Sequence, residues 1–254
     1  MRAWLCICLF ALIGFSTQAH ARARLLTVTD GVVAFSGPGE FYRPLQVLPA
    51  RTELKSANKP VQTKDGAFYK VVVRLSEKQS VIGYISIASD IRFIDDSMST
   101  EDLGEDMTKY GDVALVNKAI QISFTNFRDR RTLATLGYMK YLSPGFYVKG
   151  FGGQFSDPSA TAIAAGGEVG NDALLIGRVS GLVSYALGVF APSEAGRIFE
   201  ASSRVNAMMQ AAIGARYNFS GVASMSVAAT QAVFFNANNS LVTSGATLTL
   251  EVGL

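Results

Sequence analysis

The chain has 254 residues, 49% of them hydrophobic and 17% charged, with a formal net charge of +3. So small a charge gives no electrostatic case for a nucleic-acid partner. Its two Cys, one His and one Trp are Cys6, Cys8, His20 and Trp4, so everything beyond position 20 lacks thiol, imidazole and indole.

Arg2 precedes an apolar run over residues 3–15, followed by Ser16-Thr17-Gln18-Ala19-His20-Ala21. The small residues Ala19 and Ala21 suit signal peptidase, and residues 1–21 are predicted to be a cleaved signal peptide. Thirteen apolar residues are short against the roughly 20 that a spanning helix needs. Cleavage would lower the charge to +2 and leave a chain without Cys, His or Trp. Such a chain builds no disulfide, thiolate or imidazole metal site, and no hydrolase resting on Ser-His, Asp-His or Cys-His. No metal and no cofactor are expected, and the chain is expected not to be an enzyme.

Composition shifts near residue 112. Residues 22–112 hold 12 Lys/Arg and 13 Asp/Glu, whereas the longer stretch 113–254 holds 10 and 7 and is rich in Ala, Gly, Ser and Val. Between residues 25 and 94, short β-branched and aromatic runs alternate with turn signals such as Asp30-Gly31, Ser36-Gly37-Pro38-Gly39, Leu48-Pro49 and Lys64-Asp65-Gly66. This reads as a small all-β barrel over residues 22–94.

Five features occur in the order of the bacterial SH3 repeat: Val33, Ser36-Gly37-Pro38-Gly39, Val47-Leu48-Pro49-Ala50 leading to Leu54, Phe68-Tyr69-Lys70-Val71, and Gly83-Tyr84-Ile85. The segment resembles that family, with Phe68 and Tyr84 where tryptophans are usual, Ala50 where glycine is usual, and an insert over residues 75–81. The resemblance implies a module that binds peptides, often of the cell wall, outside the cytoplasm. Tyr42, Phe68, Tyr69 and Tyr84 are then the candidate ligand-binding aromatics, since flat rings bury large area at little entropy cost and keep a polar handle. The plainer alternative is that Phe68 and Tyr84 fill the core of a small barrel.

Residues 95–112 carry seven acidic groups against Lys109 alone and read as a solvated linker. From Lys118 onward, segments of alternating polarity are separated by turn signals, as expected of an outer-membrane barrel. Eight can be counted: 118–128, 131–142, 145–156, 160–169, 173–190, 204–219, 222–235 and 241–254. The sixth sets Val205, Ala207, Met209, Ala211, Ile213, Ala215, Tyr217 and Phe219 against Arg204, Asn206, Met208, Gln210, Ala212, Gly214, Arg216 and Asn218. Successive strand side chains point to opposite faces, so a barrel in lipid turns the apolar set outward.

By that register Glu168, Arg178, Arg204, Arg216 and Glu251 all face the lumen, which spares them the roughly 2–4 kcal/mol that Arg or Lys costs against mid-bilayer lipid. Glu168, Arg178, Arg216 and Glu251 are predicted to form an ionic network near one end, while the register around Lys149 stays ambiguous. The short turns Ser143-Pro144, 169–172 and Ser220-Gly221 all fall at one mouth, and the longest connection, 191–203, at the other. Over residues 113–254 the pattern resembles the small OmpA-like eight-stranded barrels, although Leu254 stands where a final Phe is usual. A membrane helix over 173–192 and a soluble β-sandwich are the competing readings.

The expected fold class is therefore all-β: an N-terminal SH3-like barrel followed by an eight-stranded antiparallel transmembrane β-barrel. The expected function is a non-enzymatic outer-membrane protein that holds a periplasmic SH3-like module against peptidoglycan or a periplasmic peptide, with outer-membrane lipid around the barrel. The alternative is a narrow channel or a surface adhesin.

Overall fold

The computed structural model describes residues 22–27, 29–57, 60–76, 79–94, 114–158, 160–176, 178–193, 205–235 and 240–254. The predicted signal peptide, the acidic linker, Arg204 and most of the connection 191–203 lie outside them.

The N-terminal part is all β. Its strands are β1 (Arg22–Thr27), β2 (Val32–Phe35), β3 (Pro44–Leu48), β4 (Glu53–Ala57), β5 (Val61–Thr63), β6 (Gly66–Ser76), β7 (Gln79–Ser86) and β8 (Ile91–Ile94). They form one sheet in the order β3-β2-β7-β6-β4-β1-β8, with β5 hydrogen-bonded to β6. The strand β6 is covered on both faces, so its sequence is a nearly continuous apolar run rather than an alternating one. Tyr69, Val71 and Val73 join Val32, Leu48, Leu54 and Ile85 in one cluster, while Phe68 packs with Ile82 and Tyr84 in another.

The C-terminal part is a closed antiparallel barrel of β9 (Lys118–Phe127), β10 (Thr132–Ser143), β11 (Phe146–Asp157), β12 (Ala160–Ile176), β13 (Val179–Pro192), β14 (Asn206–Asn218), β15 (Ala223–Phe235) and β16 (Ser240–Gly253). Pairing of β16 with β9, from Gly245 opposite Phe127 to Gly253 opposite Ala119, closes the ring and leaves no edge. Burial alternates strictly along β9, where Ile120, Ile122 and Phe124 point out and Gln121, Ser123 and Thr125 point in. Leu136, Ile163, Leu187, Ile213, Val227, Leu248 and Leu250 continue the outward apolar surface around the ring.

One expected boundary is corrected. Residues 169–172 are strand rather than turn, and β12 runs on to Ile176 with Asp172 paired to Leu182 of β13. Gly170-Asn171-Asp172 has turn composition, but the ladder to β13 supplies each backbone partner and overrides it. The apolar stretch 173–192 is accordingly the end of one strand and the whole of the next, not a helix.

Candidate functional site in the barrel lumen

Alternation puts one side chain in two from every barrel strand into the lumen, and these sort into three layers by height. At the mouth far from the N-terminal domain, Phe127, Leu133, Phe155, Phe190, Met208 and Phe234 form an apolar layer. The ring of Phe155 lies 4.8 Å from that of Phe234, and Phe190 stands edge-on to Phe234 at 5.5 Å. The middle is a belt of small polar groups. Its hydroxyls bond to each other across strands, Thr125 to Thr247 at 2.8 Å, Thr230 to Thr247 at 2.6 Å and Thr249 to Ser123 at 3.0 Å. The space left within the lumen is a cavity of about 40 Å³, room for only a few waters.

The third layer, at the mouth facing the N-terminal domain, is ionic. Its centre is Asp172, whose side chain is wholly buried. The carboxylate accepts hydrogen bonds from Arg216 Nη1 at 2.5 Å, from the Tyr141 hydroxyl at 2.6 Å and from Arg43 Nη1 at 3.2 Å, with Arg43 Nη2 on its other oxygen. Arg216 also donates to the Tyr141 hydroxyl and pairs with Glu251 at 3.4 Å. Glu251 accepts from Gln121 Nε2 at 2.9 Å. Beside this group, Lys149 pairs with Glu168, which accepts the Tyr147 hydroxyl at 2.9 Å. Charge buried this deeply must be paired and hydrogen-bonded, and here each member is.

Two glycines let the chain bring these groups together. Gly145 holds a φ of 73° in the β10–β11 turn, where a side chain is strained, and its Cβ would lie 2.6 Å from the Asp172 carbonyl oxygen. Asp172 N donates to the Gly145 carbonyl at 2.7 Å, which fixes the lower end of β12 against that turn. Gly37 lies under the Tyr42 ring, where a Cβ would collide with it.

Arg43 belongs to the N-terminal domain, and a short seam carries it into the barrel. The buried Ser36 Oγ donates to the Leu115 carbonyl at 2.7 Å and accepts from Leu115 N at 3.0 Å. Arg43 N donates to the same carbonyl at 2.6 Å, Asn117 N donates to the Phe41 carbonyl at 2.8 Å, and Asn117 Nδ2 donates to the Glu40 carbonyl at 2.9 Å. Tyr42 forms an antiparallel bridge with Val116. Beyond the seam the Arg43 guanidinium lies 4.1 Å above the Tyr141 ring and donates to the Asp172 carbonyl at 3.1 Å.

Of the four residues expected to form the lumen network, Arg216 and Glu251 meet, and Glu168 sits in the same layer on Lys149. Arg178 is the correction. Because β12 extends through residue 176, Arg178 falls in the turn, exposed, where it donates to the Phe219 carbonyl at 2.9 Å. The charge expected from it is supplied instead by Arg43, while Asp172, Tyr141, Tyr147 and Lys149 complete the layer. Lys149 was in view, but Tyr147, Phe151 and Phe155 share its inward face, so apolar-out alternation fails in that strand.

The four candidate groove aromatics do not share an open surface. Phe68, Tyr69 and Tyr84 are 1%, 8% and 7% exposed and belong to the core, and Tyr42 is packed in the seam. A small sheet has too few other large apolar groups to spare these rings for a surface. Tyr69 does meet an exposed ring, with Phe93 edge-on to it at 5.0 Å. Among the described residues no group of three His, Cys, Asp or Glu side chains is placed to hold a metal ion.

No protein-family model and no curated protein sequence matches the chain. Among solved structures, the N-terminal β-barrel domain of Pseudomonas aeruginosa OprF is similar over 53% of this chain and 96% of that one, with a TM-score of 0.39 and 11% identity. A barrel from the de novo design of transmembrane β-barrels is similar over 54% and 95%, with a TM-score of 0.35 and 14% identity. The outer membrane enzyme PagL is similar over 54% and 99%, with a TM-score of 0.39 and 10% identity. Outer-membrane barrels are thus among the structural neighbours of this one. The expectation that the chain is not an enzyme is not supported, since an outer membrane enzyme stands among these neighbours.

Proposed function

We propose that the chain is an outer-membrane protein whose barrel spans the bilayer and whose N-terminal domain, SH3-like in its fold, stands in the periplasm against the cell wall or a periplasmic partner. The observation that carries this reading is the polarity of the barrel. Large apolar side chains such as Ile163 (74% exposed), Ile213 (65%) and Leu187 (62%) cover its outer face, whereas hydroxyls, amides and ion pairs line its lumen below a single apolar layer. Soluble proteins rarely expose a continuous apolar surface of that kind, and a closed strand ladder satisfies every backbone group without water.

For the N-terminal domain the support is its short-stranded antiparallel sheet and the Ser36-Gly37-Pro38-Gly39 turn. Its ligand-facing groups are Phe93 and Ile87, exposed at 45% and 48%, rather than the core rings of Phe68 and Tyr84. The channel reading is less favoured, because a 40 Å³ lumen cavity conducts nothing until side chains move.

The test is membrane fractionation with gel migration of boiled and unboiled samples, followed by retention of the purified protein on peptidoglycan sacculi. Outer-membrane recovery and a heat-dependent mobility shift are expected. Recovery in a soluble fraction overturns the membrane reading. Outer-membrane recovery without sacculus retention overturns the wall-binding role alone.

A further inference from the structure

The charges facing the barrel lumen do not balance within the barrel. Below the phenylalanine layer, the barrel's own described residues present two cations, Lys149 and Arg216, against three carboxylates, Glu168, Asp172 and Glu251. Lys149 is committed to Glu168, which leaves Arg216 alone between Asp172 and Glu251. The third cation arrives from the other domain as Arg43, only 4% exposed once seated. We infer that the lower mouth of the barrel is a guanidinium-binding site, and that the N-terminal domain is its stopper, seated there by Arg43 rather than hanging on a free tether.

The site has the features such a group requires. The Asp172 carboxylate receives both terminal nitrogens of Arg43, its own carbonyl takes a further bond from Nη2, and the Tyr141 ring lies 4.1 Å below the guanidinium plane. A planar fork with five donors fits this set of acceptors, and a lysine ammonium does not reproduce it. The groups facing Arg43 are Asp172, Tyr141, Arg216 and Glu251, so its departure leaves two carboxylates with one cation, Asp172 among them wholly buried. The seam from Ser36 to Asn117 then loses the charge that holds it shut. This inference does not depend on any wall ligand.

The experiment uses the full-length protein in detergent micelles and follows hydrogen exchange of the Asn117 amide, which donates across the seam. In Arg43→Ala, exchange should accelerate about a hundredfold or more, as expected on removing one partner of a buried pair. In the double variant R43A/D172N the charges balance again as Arg216 with Glu251, and most of that acceleration should disappear. Millimolar methylguanidinium should slow exchange in R43A by binding the vacated site, and should do nothing in R43A/D172N. Exchange in R43A equal to that of the unmodified protein overturns the inference. So does a double variant at least as fast as R43A, or a methylguanidinium effect that persists without Asp172. Should R43A fail to assemble, R43A/D172N should assemble, and failure of both overturns the charge argument.

Discussion

Replacing Arg216 with Ala removes the cation at the centre of the lower lumen layer. Arg216 is 2% exposed and touches Asp172 at 2.5 Å and Glu251 at 3.4 Å, so its loss leaves the buried Asp172 with Arg43 as its one cation and takes the cation from Glu251. Breaking a buried ionic group in this way costs about 3–5 kcal/mol. With a urea dependence of about 2 kcal/mol per molar, the unfolding midpoint falls by about 1.5–2.5 M. The assay is urea unfolding in detergent followed by circular dichroism, with Arg128→Ala, exposed in the β9–β10 turn, as the reference. That surface change should stay within about 0.5 kcal/mol. Adding Glu251→Gln to R216A should recover part of the loss, because it removes one of the stranded charges. Equal midpoints for R216A and R128A, or no recovery in R216A/E251Q, would refute the inward register of β14 and the pairing built on it.

Gly145→Ala should destabilise the protein by about 1–3 kcal/mol in the same assay, because it combines strain at a positive φ with a Cβ against the Asp172 carbonyl. Gly150→Ala, outward and open, should be close to neutral. Leu187→Arg, on the outward face of β13 and 62% exposed, should destabilise the barrel in lipid by about 2–4 kcal/mol and lower the yield of assembled protein; unchanged assembly would show that this face does not meet hydrocarbon.

The alternation in β14 and β16 was legible in the sequence because each lies between lipid-like and polar surroundings, so period two survives almost unbroken. The rule that apolar residues point outward failed at the ends of the lumen. Phe155, Phe190 and Phe234 point inward because a barrel of this size fills with its own side chains, and rings fill it well. Asp172 was hidden by the turn-like composition of its neighbours, although Glu168, four residues earlier on the same face, was visible. Arg43 was not legible at all. Its partner is 129 residues away in another domain, and no local pattern in a Phe41-Tyr42-Arg43-Pro44 loop marks an arginine for burial.

The layered lumen also sets an order in which the barrel can be opened. The lower layer relies on charges, and it can do so because the N-terminal domain covers that mouth and brings the missing cation. The upper layer has no such cover among the described residues and is closed by rings, which need no partner to exclude water. The two are seals in series around a polar belt that already holds a cavity of about 40 Å³. Phe155→Ala removes a fully buried ring in contact with Phe234 and should cost about 3–5 kcal/mol of stability. Neither F155A nor R43A alone should make the protein leaky in sealed liposomes, because the other seal persists. The combined F155A/R43A variant should show a proton or sodium leak well above either single variant. A leak of the same size in one single variant as in the double would show that the layers do not act in series.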